Sequence, residues 1–522
     1  MDRKKSKDAI GGAFWLTASA LIVKLLGLIY KVPLTRFLGE EGMGYFNSAY
    51  TVYAFFYLLC SAGVPKAVMM VLSEKGDNEE EKCRTVRYAL YSFMMLGLAL
   101  TCAFIFFSEP LSRMIGNSRA RATMICVAPS VLFVSISGVL RGYLSDRLSF
   151  SSIAISQLIE GVAKLALGLV FAGLATRMSM SLYMISAMTI LGVTIGAFFG
   201  MIYLAFASKI PITRIKTRQK RSFVSNFGVL KSILHISVPI TLSAAVMSLS
   251  GILDLGMIVR RLTGLGYSER DAVALYGNYT TLTVPIFNLA IALISSIPVA
   301  FLPLMRQAHV RGSRSEFQEH MSTSFSLSAL ISAPIMVGVA FYADEILTLL
   351  FPGTNTAVGG ALLRLLAPAI LLSSILLVLN SAIESMGMVN VPVISMLAGC
   401  TAKVIVGYFL IGNGAYGISG APIGTVVCYA VACLISACIF RQKCGINAPF
   451  IRESILPHVC ALASVVVSKI LYIYVIKDTI SYGLSLMISI AVAAVIYALL
   501  AWKVGILTPA RLCKMSKYTN LA

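Results

Sequence analysis

The sequence predicts an all-α integral membrane protein with about 14 transmembrane helices, arranged as two six-helix lobes and two further C-terminal helices. Of its 522 residues, 58% are hydrophobic and only 12% are charged, about half the charged fraction of an ordinary soluble domain. The apolar residues form long continuous runs, which favours helices over the ~10-residue alternating segments of a membrane β-barrel. An internal repeat, described below, predicts the two lobes.

The number and limits of the spans follow from the mean hydropathy in a window of about 19 residues. Spans two and eight are long and contain prolines, Pro65 in one and Pro285, Pro298 and Pro303 in the other, so both are expected to be tilted or bent. The predicted spans are 11–34, 44–72, 88–108, 122–144, 152–174, 182–206, 232–259, 275–305, 324–342, 359–381, 391–412, 417–440, 455–476 and 481–503.

The orientation follows from the 43 Lys and Arg residues, which outnumber the 22 Asp and Glu residues. When the N-terminus is placed inside, the inner segments carry more than twice as many of these cations as the outer loops, which carry 9. The positive-inside rule then places both termini in the cytoplasm. The most basic segment, 209–221, is either a topology signal alone or a contact for anionic lipid headgroups. The excess of cations is thus explained without a nucleic-acid partner.

An internal repeat appears when the sequence is shifted by 239 positions, because 13 of the 41 residues in 128–168 are then identical to those in 367–407. Chance matches are frequent between apolar segments, but the matches here include paired polar and proline positions. The matches include Ala128-Pro129 with Ala367-Pro368, Val139-Leu140 with Val378-Leu379, Ala163-Lys164 with Ala402-Lys403, and Gly168 with Gly407. At an offset of 233, Gly44 and Pro65 also match Gly277 and Pro298.

The two copies lie six spans apart, and an even number gives them the same orientation in the membrane. Parallel repeats of this kind are typical of transporters in which two lobes alternately open a central cavity. The predicted organisation is an N-lobe of spans one to six (1–208), a basic cytoplasmic linker (209–231), a C-lobe of spans seven to twelve (232–440), and spans thirteen and fourteen with a cytoplasmic tail (441–522).

Cations inside the apolar spans indicate a binding site, because a charge at the bilayer centre costs about 3 kcal/mol unless it faces a cavity or a partner. Lys24 and Lys31 in span one are seven residues apart and therefore lie on one helix face. A cavity lined by spans one, two, seven and eight is expected to be positive and to bind an anion such as a diphosphate. The further candidates for this site are Arg36, Lys66, Arg260, Arg261 and Asn278.

Other interpretations of these charged residues stay open. Glu160 and Lys164 are four residues apart in span five and are predicted to pair with each other. Asp254 in span seven is a candidate for ion coupling or gating, for pairing with a cation of span one, or for a structural contact. An alternative role for three of the cations is snorkelling, in which the charged end of the side chain reaches the membrane interface. These cations are Lys31, Arg36 and Lys66.

No motif indicates an enzyme, a metal site or a bound cofactor. The sequence contains no phosphate-binding loop for ATP, and its 11 cysteines lie mostly in apolar runs without a partner at metal-ligand spacing. The expected energy source is therefore a Na⁺ or H⁺ gradient, the membrane potential or downhill flow of the substrate.

Four segments carry a family resemblance: Leu25 to Tyr45 in and after span one, Ser61 to Pro65 in span two, Val139 to Tyr143 in span four, and Leu275 to Asn278 in span eight. They resemble the stage V sporulation protein B family. That family is close to the MurJ lipid flippases within the multidrug/oligosaccharidyl-lipid/polysaccharide (MOP) exporter superfamily.

The resemblance implies a monomeric flippase in a bacterial plasma membrane. Its substrate would be an undecaprenyl-diphosphate-linked oligosaccharide, a lipid II-like precursor of the cell wall or spore cortex, moved from the inner to the outer leaflet. Lys24 and Lys31 would correspond to the cations that bind the diphosphate in the first helix of such flippases. Spans thirteen and fourteen would form a groove for the lipid tail.

Four alternatives to this function remain at the level of sequence. A cation-coupled drug exporter of the MATE type would use Asp254 and would carry cations rather than anions. A flippase for another polysaccharide or teichoic acid unit would share the anion site. A membrane enzyme of envelope assembly would normally need a large catalytic outer loop, which is missing, and a regulatory subunit without transport is the fourth possibility.

Overall fold

The computed structural model describes residues 3–75, 78–209, 223–444, 450–476 and 481–504. Most of the basic linker and the C-terminal tail predicted above therefore lie outside the described residues. The described chain is helical and contains no strand. Its helices are α1 (Arg3–Ser61), α2 (Val64–Ser73), α3 (Glu79–Met114), α4 (Arg121–Val127), α5 (Ser130–Asp146), α6 (Phe150–Arg177), α7 (Leu182–Ser208), α8 (Phe223–Gly264), α9 (Glu269–Asn278), α10 (Val284–Val310), α11 (Arg314–Phe341), α12 (Ala343–Leu350), α13 (Thr356–Leu366), α14 (Pro368–Ser385), α15 (Asn390–Ile411), α16 (Gly420–Cys444), α17 (Phe450–Leu471) and α18 (Tyr482–Lys503).

Each of the fourteen predicted spans coincides with helix, which confirms the all-α membrane class. Within the described ranges, eleven helices are long and apolar enough to cross a membrane, and α4 with α5 forms a twelfth, bent by 40°. This count is below fourteen because Ile22–Ser73 counts once although it contains both span one and span two, which meet at a kink in α1 at Gly39 (φ 60°, ψ −171°). Span seven, which lies in α8, is not among the eleven.

Spans two and eight bend where their prolines predict. Helix α1 ends at Ser61, and α2 begins at Val64 with Pro65 in its first turn. In span eight a π-helical turn, Tyr279–Thr283, separates α9 from α10 just before Pro285. A proline lacks the N–H that would continue the preceding helix, so each break lies immediately before such a residue.

The chain divides into two compact units, Met1–Gly277 and Asn278–Ala522. Helix α8, which the repeat assigns to the C-lobe, packs against α1, α2 and α3 in the first unit. The approach to α2 is close, since a Cβ at Gly63 would lie 2.3 Å from the carbonyl oxygen of Ser237. The lobe boundaries come from the sequence repeat, whereas the two units are defined by packing. The units therefore do not test the lobe boundaries, which stay a prediction.

In the first unit, α7 packs against α6 through three glycines at intervals of four residues, Gly192, Gly196 and Gly200. A Cβ at Gly192 would lie 2.5 Å from the backbone nitrogen of Gly168, and one at Gly196 would lie 2.8 Å from the carbonyl oxygen of Glu160. Small residues at this spacing let two membrane helices approach backbone to backbone. The contact determines where the side chains of α6 project.

The second unit repeats this packing with α15 and α16. A Cβ at Gly424 would lie 3.2 Å from the carbonyl oxygen of Lys403. In the first unit, a Cβ at Gly192 would lie 2.9 Å from the carbonyl oxygen of Lys164, the repeat copy of Lys403. The repeat in the sequence thus corresponds to a repeated helix contact.

Helices α17 and α18 extend the second unit and are anchored to α11 and its C-terminal end by buried hydroxyl groups. The Tyr342 hydroxyl lies 3.0 Å from the Ser468 oxygen and 2.6 Å from that of Ser489. The hydroxyl of Tyr497 donates to the carbonyl oxygen of Leu330 at 2.9 Å. Hydrogen bonds of this kind hold helices together where the surroundings are apolar.

The substitution Gly196→Val is expected to destabilise the protein by about 1–3 kcal/mol, because the added side chain would push α6 and α7 apart. The measurement is the melting temperature of the purified protein in detergent. Gly173→Val on α6 is the matched control, since no atom lies within 4 Å of a Cβ there. Equal melting temperatures for the two variants would contradict the close contact between α6 and α7.

Candidate functional site

The first unit contains a cavity of about 330 Å³ between α1, α5, α6 and α7. Charged and aromatic side chains line it, together with a few small apolar ones. The lining residues are Val23, Lys24, Tyr50, Tyr53, Ala54, Tyr57, Arg141, Gln157, Glu160, Gly161, Lys164 and Val193.

Helix α1 supplies one cation and a row of tyrosines to this cavity. Tyr50, Tyr53 and Tyr57 have helical spacing and so occupy one face of α1. Their ring centroids are 5.7 Å and 5.9 Å apart along the row. Lys24, which the sequence identifies as the deepest cation of span one, lines the same cavity. The sequence does not single out the tyrosines, because an aromatic row at helical spacing usually belongs to a core.

The acid of the cavity, Glu160, forms an ion pair with Arg141. A guanidinium nitrogen of Arg141 lies 3.1 Å from Oε2 of Glu160, and the two side chains are 11% and 24% exposed. The predicted pairing of Glu160 with Lys164 is therefore wrong for this structure. Sequence spacing identifies neighbours on one helix, whereas Arg141 comes from α5 and reaches Glu160 on α6 across the cavity wall.

Lys164 is held instead by aromatic rings. Its Nζ lies 4.5 Å from the ring centroid of Tyr50 and 5.9 Å from that of Tyr30, distances at which a ring quadrupole attracts a cation. The ammonium also donates a hydrogen bond of 3.4 Å to the Tyr50 hydroxyl. Lys31 is half-buried and is not among the residues that line the cavity.

The remaining residues predicted for the site lie outside this cavity, and their roles stay predictions. Arg36 and Lys66 are exposed. On α8, Asp254 and Arg261 are half-buried, and the exposed Arg260 donates a hydrogen bond of 3.3 Å to the carbonyl oxygen of Arg113. Asn278, in the second unit, is buried and donates from Nδ2 to the carbonyl oxygen of Asn355 at 3.1 Å.

The cavity differs from the one expected between spans one, two, seven and eight, because its walls come from spans one, two, four, five and six. The lining residues include three cations, Lys24, Arg141 and Lys164, and one acid, Glu160. Such a cavity is net positive and offers N–H and O–H donors to an anion. Among the described residues, no cluster of three or more His, Cys, Asp or Glu side chains could hold a metal ion.

The second unit contains an apolar groove of about 280 Å³ between α11, α17 and α18. Its walls include Pro334, Val339, Val465, Ile490 and Ala493, and nearly all of its surface is hydrocarbon. A groove with this lining can accept an acyl or prenyl chain.

The contact between Lys164 and Tyr50 predicts different outcomes for two substitutions. Tyr50→Leu is expected to lower the free energy of unfolding by about 0.5–1 kcal/mol, because it removes a cation–π contact at a half-exposed site. Tyr50→Phe keeps the ring and loses only a long hydrogen bond, so its melting temperature should stay near that of the wild type. An equal loss in both variants would show that the hydroxyl, and not the ring, holds Lys164.

A comparison of this chain with known proteins identifies its family. The family model described as polysaccharide biosynthesis protein matches residues 10–309, more than half of the chain, and the MatE model matches 239–409. Stage V sporulation protein B of Bacillus subtilis (strain 168) is 23% identical over 499 residues, which cover 94% of each chain. The lipid II flippase MurJ of the same organism is 20% identical over 536 residues, covering 96% of each chain.

Solved structures show the same fold. A structure of the lipid II flippase MurJ in an inward closed conformation has a TM-score of 0.71 and 16% identity, covering 93% of this chain and 97% of that one. An inward-facing MATE multidrug transporter has a TM-score of 0.64 and 14% identity, covering 81% and 94%. These relatives are named as flippases and transporters and not as enzymes. The resemblance in the sequence is confirmed: the chain is a multi-pass membrane protein of the polysaccharide biosynthesis protein family.

Proposed function

We propose that this protein is a flippase that moves an undecaprenyl-diphosphate-linked oligosaccharide, a lipid II-like precursor, from the inner to the outer leaflet. The observation that carries the proposal is the cavity of the first unit, where three cations and one acid lie among membrane-spanning helices. Cations in this setting are costly unless they face water or an anion. A diphosphate supplies the missing negative charge, and the tyrosines and Gln157 supply surfaces and donors for the adjoining sugar.

The apolar groove of the second unit supports the same substrate class. A polyprenyl chain needs a long hydrocarbon surface, and α17 and α18, which lie outside the repeat, help to build one. The MurJ structure covers 93% of this chain, whereas the MATE structure covers 81%. The flippase structure thus matches a larger share of this chain than the drug transporter does.

The proposed flippase works in a bacterial plasma membrane. The protein acts as a monomer in a bacterial plasma membrane with both termini in the cytoplasm, where its basic inner segments contact anionic lipids. A Na⁺ or H⁺ gradient or the membrane potential supplies the energy, and Asp254 on α8 is the candidate for coupling or gating.

Removal of two cavity cations, Lys24→Ala with Lys164→Ala, is expected to abolish rescue of cells depleted of their lipid II flippase. Two charge-assisted hydrogen bonds contribute about 3 kcal/mol or more, so headgroup binding should weaken by about 100-fold or more. The control is Arg177→Ala with Arg311→Ala, which removes the same charge from exposed positions. Full rescue by the cavity variant would contradict an anion site there.

Native mass spectrometry of the purified wild-type protein identifies the substrate directly. We expect a bound mass that corresponds to a polyprenyl diphosphate carrying sugars, and the same mass should be absent from the variant without Lys24 and Lys164. A co-purified lipid without a diphosphate would contradict the proposed substrate class.

A MATE-type drug exporter is the second candidate, favoured by the MatE match over 239–409, which includes Asp254. If this function is correct, expression should raise resistance to cationic dyes, and Asp254→Asn should remove that resistance because it removes the carboxylate. We expect no dye resistance from the wild-type chain, because the charge of the described cavity repels cations. Minimum inhibitory concentrations of ethidium in a drug-sensitive strain provide the measurement.

A further inference from the structure

The ion pair of the cavity leaves Arg141 with unused hydrogen-bonding capacity. Its guanidinium has five N–H donors, and one of its nitrogens contacts Glu160 at 3.1 Å. Nε of Arg141 is buried and has no hydrogen-bond partner in the described structure. A planar guanidinium binds two phosphate oxygens side by side. Arg141 is therefore equipped for a ligand with more acceptor atoms than one carboxylate presents.

Glu160 can move away from Arg141 and still have a positive charge nearby. Its carboxylate is 24% exposed to the cavity, and its ion pair with Arg141 engages one of its two oxygens. Lys164 lies one helical turn further along α6, at the spacing where a carboxylate and an ammonium can meet. The recorded hydrogen bond of Lys164 is the long 3.4 Å contact with Tyr50, so its ammonium retains donors for a second partner.

We propose, resting on the proposed function, that Glu160 is a counter-ion with two positions. In the empty cavity it pairs with Arg141, and the diphosphate of the substrate displaces it toward Lys164. Its return to Arg141 then releases the substrate. The pair that sequence spacing predicts, Glu160 with Lys164, thus forms when the diphosphate occupies Arg141, and the pair of Glu160 with Arg141 forms when it does not.

A carrier needs such a competitor because a ligand has to leave as well as bind. With Glu160 in place the lining carries two net positive charges, and without it the lining carries three. A diphosphate surrounded by three unopposed cations would bind tightly and dissociate slowly. Glu160 weakens binding by competing for the same guanidinium, and in this way shortens the time that the headgroup stays in the cavity.

The test is the dissociation constant of farnesyl diphosphate, a soluble prenyl diphosphate, for the full-length protein in detergent. Glu160→Gln is expected to bind the probe about tenfold more tightly than wild type, because the competing anion is gone, and to move lipid II more slowly in proteoliposomes. Gln157→Glu adds an acid one turn earlier on the same helix face and should bind about tenfold more weakly. A purely structural ion pair predicts the opposite sign for Glu160→Gln, since an unpaired Arg141 would distort the site.

Two further measurements separate the possible failures. Arg141→Lys keeps the charge but loses the planar pair of donors, so weaker probe binding is expected even if Glu160→Gln fails to fold. The melting temperature shows whether the Glu160→Gln protein is folded. If a folded Glu160→Gln protein binds the probe as wild type does or more weakly, the counter-ion role is overturned. Lipid II transport by wild type would still leave the proposed function intact. If wild type binds the probe but moves no lipid II, the proposed function fails and the counter-ion role is judged on binding alone. No binding of the probe by wild type would overturn both.

Discussion

The close contact between α6 and α7 is the constraint on which the candidate site depends. Gly192, Gly196 and Gly200 bring the α7 backbone against α6 at the level of Glu160 and Lys164. Side-chain burial contributes little to association between membrane helices, because lipid is as apolar as a protein interior, so direct backbone packing becomes important. The side chains of Glu160 and Lys164 begin at this contact, since a Cβ at Gly200 would lie 3.3 Å from Cβ of Glu160 and one at Gly196 would lie 3.4 Å from Cβ of Lys164. The same glycines thus determine the helix arrangement and the wall of the cavity.

Compensation of charge is the second condition for the site. Lys164 lies over the ring of Tyr50, and Arg141 pairs with Glu160. In the second unit one lysine has both kinds of partner, a carboxylate and an aromatic ring. Lys469 lies 2.5 Å from a carboxylate oxygen of Glu345 and 4.5 Å from the ring centroid of Tyr342. Rings and carboxylates lower the cost of a charge in the membrane without filling the space around it. A cavity can therefore remain positive and open at the same time.

The fold was predictable from the sequence to a greater extent than the site. Long apolar runs determine where helices lie, and a lysine in the middle of such a run, Lys24, is conspicuous because its position is costly. Arg141 lies near the end of a predicted span, where a cation is ordinary, so its position does not mark it as a site residue. Its pairing with Glu160 depends on how α5 packs against α6, which helical periodicity does not specify. The glycines of α7 have a recognisable spacing, and that signal could have indicated the contact.

The two copies of the repeat have diverged at the positions that form the ion pair. At the offset of 239, Asn380 corresponds to Arg141 and Gly399 corresponds to Glu160. A Cβ at Gly399 would lie 2.5 Å from the carbonyl oxygen of Cys428, so the neighbouring helix occupies the space that an acidic side chain would need. An acid placed there by Gly399→Glu would disrupt helix packing before it could form a charge pair. The second unit therefore cannot gain a copy of this ion pair by that substitution alone, and the pair is confined to one copy of the repeat.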